Sequence, residues 1–80
     1  MKIRKRGELV EFSQNGVSHT VNRSSILRVA YVEESGAIVI EIPGHTFRTR
    51  LMECSGIRAK TAEQLYHKIC GLMKPPFKVI

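Results

Sequence analysis

The chain has 80 residues, with thirteen Lys and Arg against seven Glu and no Asp, for a formal charge of +6. At this length folding hides only about 60–65% of the surface an unfolded chain exposes, which leaves room for one modest core and excludes a second domain within it. No apolar run comes near the ~20 residues a membrane-spanning helix needs, and the basic balance points to an anionic partner: nucleic acid, an acidic protein surface or anionic lipid.

Residues 1–7 open with Met1-Lys2-Ile3-Arg4-Lys5-Arg6 and read as a basic N-terminal arm. The charges are those of a signal peptide's first segment, but Gly7-Glu8 follows in place of an apolar stretch, so the cytoplasm is the expected location. Residues 8–14 alternate, with Val10 and Phe12 on one face and Glu11 and Ser13 on the other, as a half-buried strand requires. Asn15-Gly16 follows at once. Both central residues of a type I′ turn need positive φ, which this pair tolerates, so residues 17–21 should fold back antiparallel. Asn22-Arg23-Ser24-Ser25 is a polar link whose side chains bond their own backbone, favouring a turn or a single helical turn. Residues 26–33 and 37–42 flank Glu34-Ser35-Gly36 and are rich enough in β-branched residues to be strands. Pro43-Gly44 then turns the chain into a last strand over residues 45–52.

Residues 53–60 show no clear period and read as a loop. Thr61-Ala62-Glu63-Gln64 supplies a capping box for a helix over residues 61–73: the Thr61 hydroxyl accepts from the Gln64 N–H, and the Gln64 side chain reaches back. Ala62, Leu65, Tyr66, Ile69, Leu72 and Met73 make one apolar stripe, with Glu63, Gln64, His67 and Lys68 facing water. Pro75-Pro76 stops the helix, leaving residues 74–80 as a tail whose apolar side chains tuck back or await a partner. The order predicts a mainly β domain over residues 8–73 with one C-terminal helix. It is either a small barrel or a bent five-stranded antiparallel sheet packed by that helix. The expected core is Val10, Phe12, Leu27, Val29, Tyr31, Ile38, Ile40, Ile42, Phe47 and Leu51.

Chemistry is sparse along this chain. Cys54 and Cys70 read as free thiols of a reducing compartment. With His67 they offer three metal ligands and no fourth, which does not make a closed zinc site. His19 falls on the core face, His45 beside a turn and His67 on the exposed side of the helix, so no nucleophile, base and orienting group converge. The glycines form no phosphate-cradling cluster and the glutamates no paired site. A non-catalytic protein without metal or cofactor is expected.

The strand period of two places Arg28, Ala30, Val32, Ala37, Val39, Glu41, Thr46, Arg48 and Arg50 on the face opposite the core. Small apolar side chains there permit close approach, and arginines reach phosphates or base edges, which is how a sheet meets a nucleic-acid groove. The expected contact set is therefore Lys2, Arg4, Lys5 and Arg6 of the arm with Arg28, Ala30, Val32, Arg48 and Arg50 of the sheet. DNA ranks ahead of RNA as its partner. A solvated face that merely keeps edge strands soluble is the competing reading. The functional alternative is a module that docks an acidic protein, or pairs with a second copy as a homodimer, through a sheet edge or the tail. Arg58 and Lys60 form a further small basic spot.

The order of hairpin with Asn15-Gly16, Ser-rich link, three-stranded meander and closing helix resembles the small basic archaeal chromatin proteins with an SH3-like fold. Ser25-Ile26-Leu27-Arg28-Val29-Ala30-Tyr31-Val32 is similar to them in its alternation of basic and apolar residues. The resemblance implies an SH3-like barrel whose triple-stranded sheet lies across the minor groove, with Ala30 and Val32 where the kinking wedge would stand. That family places a large aromatic where this chain has Ala30. Residues 13–69 are also similar in layout to the FlbD-like flagellar family.

Overall fold

The computed structural model describes residues 1–73. Six strands form two three-stranded antiparallel sheets, followed by one helix. The first sheet is a meander of β1 (Lys2–Arg6), β2 (Leu9–Gln14) and β3 (Val17–Asn22), and the second a meander of β4 (Arg28–Val32), β5 (Ala37–Ile42) and β6 (His45–Thr49). The helix α1 is Ala62–Met73. No ladder joins β3 to β6, so the sheets do not close into a barrel, nor do they form one five-stranded sheet. The expected strands beyond the arm are all present. The additional strand is the arm itself.

Lys2–Arg6 is strand rather than free arm because the chain reverses at Gly7-Glu8, with Gly7 at φ 58, and Ile3 pairs opposite Phe12 in the core. β1 is also held on its outer edge, where Ile3 N–H donates to the Ser55 carbonyl at 3.1 Å and Ser55 N–H to the Met1 carbonyl at 2.8 Å. Lysine and arginine on an edge strand also discourage pairing with other chains. The remaining turns follow the sequence. Asn15 and Gly16 adopt φ of 52 and 78 between β2 and β3. In the polar link, Arg23–Ser25 makes a single 3₁₀ turn, with the Asn22 side chain accepting from the Ser24 N–H at 3.0 Å. That turn ends the first sheet and swings the chain into the second.

The two inner faces and α1 share one core of Ile3, Val10, Phe12, Ile26, Ile38, Ile40, Ile42, Phe47, Leu65 and Ile69. Phe12 and Phe47 stack across the sheets with ring centroids 5.2 Å apart. Leu27, expected in the core, is 60% exposed, because β4 begins only at Arg28 and the chain leaving the 3₁₀ turn points Ile26 inward instead. Val29, Tyr31 and Leu51 are only partly buried against the core. The helix cap forms as read: Gln64 N–H donates to Thr61 Oγ1 at 3.1 Å, and the Gln64 side chain accepts from the Lys60 N–H at 3.0 Å. Leu65 and Ile69 are buried while Glu63, Gln64, His67 and Lys68 are exposed. Among the described residues no helix is long and apolar enough to cross a membrane. The expectations for the Met73 side chain and for residues 74–80 lie outside the described residues.

Candidate nucleic-acid interface

The registers of β4–β5 and β5–β6 arrange the outer face of the second sheet in rows. Arg28, Glu41 and Thr46 form one, and Ala30, Val39 and Arg48 the next. Val32 and Ala37 form a third, with Arg50 just past the end of β6. The helix packs on the opposite side, where Tyr66 stacks on Tyr31 at 5.6 Å. Arg28, Val32, Thr46, Arg48 and Arg50 are exposed, and Ala30, Val39 and Glu41 partly so. Ala37 departs from the expectation and is fully buried. It sits at the strand end beside Gly36, where the start of α1 and the 3₁₀ turn Leu51–Glu53 close over the β4–β5 loop, around a cavity of about 330 Å³.

Charge is unevenly available on this face. Arg28 spends its guanidinium on Glu41 at 2.9 Å, a directly opposed cross-strand pair. Arg48 and Arg50 make no ion pair among the described residues, so their charge is free for a ligand. The Gln14 side chain donates to the Arg48 carbonyl at 2.8 Å, tying the free edge of β6 to the first sheet and fixing the backbone that carries Arg48.

The arm residues do not join this surface. Lys2, Arg4 and Arg6 alternate onto the outer face of the first sheet, opposite Ser13, Glu11 and Leu9 respectively. Lys5 has the parity of Ile3 but is exposed. Since the inner faces of both sheets meet in one core, their outer faces look away from each other. The expected single contact set therefore divides in two, with Arg28, Ala30, Val32, Arg48 and Arg50 on one side and Lys2, Arg4 and Arg6 on the other.

The histidines that looked scattered partly meet. His19 of β3 stacks on His45 of β6, with ring centroids 4.6 Å apart and planes at 22°, and both set an edge against Phe47. They fill the seam where the two sheets lack a ladder. His45, expected beside the turn, is the first residue of β6 and turns its ring inward onto Phe47. Arg23 is almost wholly buried, and its Nε has no hydrogen-bond partner, with the Glu8 carboxylate 4.0 Å away. Nothing in the residue pattern separates this arginine from an exposed link residue. Among the described residues no three His, Cys, Asp or Glu gather as metal ligands.

Both cysteines are free thiols. Burial pushes Cys54 and Cys70 up from the ordinary thiol value of 9.0, and burial, followed by the neighbouring Cys70, also raises Tyr66. The folded state holds these protons more tightly than the unfolded chain does. Their contribution to stability is complete below pH 9.0 and falls as pH climbs through the raised values. Urea midpoints between about pH 8 and pH 10.5 should therefore decline, and the C54S/C70S variant should decline less. A flat profile would contradict the burial of these thiols.

No protein family matches the sequence, and neither a characterised protein nor a solved structure is significantly similar to it.

Proposed function

We propose that the protein is a non-catalytic binding module for duplex nucleic acid, DNA ahead of RNA, acting through the outer face of β4–β6. The supporting observation is an open face on which Arg48 and Arg50, without an ion pair among the described residues, border a patch of small side chains at Ala30 and Val39. Arginine supplies bidentate donors to phosphate or to base edges, and alanine and valine let the backbone come near. A duplex suits the face better than a single strand, because every aromatic side chain of the sheets lies on the inner side and none is placed to stack on a base. DNA ranks first because the deep, narrow major groove of A-form RNA does not admit side chains to the base edges. Two free thiols fit a reducing compartment such as the cytoplasm.

Titration of duplex DNA across salt tests the proposal. The log–log slope should be about −0.9 per neutralised phosphate, and R48A/R50A should make it shallower by roughly 1.8 while moving stability by less than about 0.5 kcal/mol. Glu41→Gln should strengthen binding, since it removes a negative charge and releases Arg28. Substituting Lys2 and Arg4, which face away, should change affinity far less than R48A/R50A does. Absence of binding at low salt, or equal losses from the two sets of variants, would defeat the assignment to this face.

A further inference from the structure

We propose that a groove between α1 and residues 51–60 is a second docking surface, separate from the sheet face, and that it takes an acidic peptide segment carrying an apolar anchor. The groove is open to solvent and offers about 690 Å³, ample for an anchoring side chain. Its floor is apolar, made by Leu51, Ile57 and Ala59, which also rest on the core. Its walls carry Arg58, Lys60 and Lys68, and among the described residues no carboxylate lines it. Met52 stands at the mouth 95% exposed, an apolar side chain with no intramolecular use and the adaptable thioether favoured at peptide-binding surfaces.

The shape is built in advance of any ligand. Gln64 accepts from the Lys60 N–H at 3.0 Å, and the Lys68 ammonium donates to the Arg58 carbonyl, so the loop wall is tied to the first two turns of α1. At the other end, Ser55 is bonded to Met1 and Ile3 of the first sheet. A preformed groove avoids the ordering cost of a mobile one. A second, more apolar pocket of about 310 Å³ lies beside Gly71 and Leu72 and shares Ile57 and Lys68 with the first.

Charge selects the occupant. Three cations without a lining carboxylate repel basic segments and attract acidic ones. The apolar floor and Met52 reward a leucine-like or phenylalanine-like anchor, which a phosphate backbone does not offer, and among the described residues no aromatic lines the groove to hold an unstacked base. This surface therefore calls for a protein partner, whereas the sheet face calls for a nucleic acid.

Fluorescence anisotropy of the full chain with labelled synthetic peptides tests it. The probes are a Glu-rich peptide with a central Leu-Leu, the same peptide with Ser-Ser, and the same peptide with Lys in place of Glu. Only the first should bind well. R58E/K60E should weaken it by about tenfold or more and Met52→Ser by about threefold, while Arg48→Ala leaves it unchanged. Equal binding of the Leu-Leu and Ser-Ser peptides would show a mere charge attraction and overturn the proposal. Loss of duplex DNA affinity in R58E/K60E without any peptide binding would make the groove a nucleic-acid contact, which also overturns it. Peptide binding that appears only after residues 74–80 are removed would assign the groove to the chain's own end and sink the proposal equally. Because the DNA titration uses a different surface and probe, either reading can fail alone.

Discussion

Replacing Phe47 with alanine is expected to lower the thermal midpoint by at least about 12 °C, which follows from a loss of about 3–5 kcal/mol at about 4–8 °C per kcal/mol in a domain of this size. Phe47 is fully buried, stacks on Phe12 at 5.2 Å, and receives the edges of both His19 and His45. With His45, which stacks on His19, it is one of two β6 side chains that reach the first sheet through aromatic contact, and of the two it is the fully buried one. Where two sheets lack a connecting ladder, such packing carries the load that hydrogen bonds would otherwise share. A domain of 80 residues holds roughly 4–12 kcal/mol in total, so the alanine variant should be marginal at room temperature. Phe47→Leu keeps most of the volume and should cost about 1–2 kcal/mol, giving a folded variant against which the loss can be graded. Differential scanning calorimetry measures both. A midpoint shift of only a few degrees for the alanine variant would mean that the sheets are not joined through this ring.

Gly56→Ala should destabilise the fold by about 3–5 kcal/mol although the change adds one methyl group. Gly56 has φ 91, and a Cβ built there would overlap the Ile3 carbonyl oxygen, which is backbone and cannot rotate aside. Relief requires the loop to part from β1. That movement breaks the hydrogen bonds of Ile3 N–H to Ser55, Ser55 N–H to Met1, and the Met1 nitrogen to Glu53. Gly16→Ala is the control: its φ of 78 carries the same conformational penalty, but nothing lies within 4 Å of the added carbon, so about 1–2 kcal/mol should be lost. Chemical denaturation of the two variants separates conformational strain from collision. Equal losses would refute the close approach of Gly56 to β1.

The Gly56 contact also bears on function, because the same loop forms one wall of the α1 groove, whereas Arg48 lies within β6 and does not line it. A folded Gly56→Ala protein should lose the acidic peptide before it loses duplex DNA. The two surfaces are therefore distinguishable by one methyl group as well as by charge reversal.

Local rules made much of this architecture readable. Asn15-Gly16 specified its hairpin because few other pairs accept two consecutive positive φ values, and Thr61 with Gln64 specified the helix start because the Thr61 hydroxyl takes a first-turn N–H while the Gln64 side chain holds the chain entering it at Lys60. Alternation in β4–β6 likewise assigned Arg28, Arg48 and Arg50 to the face away from Phe47, since a period of two leaves no other choice once one face is apolar. Tertiary contacts decided what alternation cannot encode. Lys2–Arg6 became a strand because Ile3 found space beside Phe12 and Ser55 lay within reach of its outer edge, a pairing made across more than fifty residues of chain. The same long-range packing buried Ala37 at a strand end, set His19 against His45 in the open seam, and left the sheets unjoined. It also turned the arm and the sheet arginines to opposite sides, because residue patterns define the faces of each sheet while only the shared core defines how the sheets face each other.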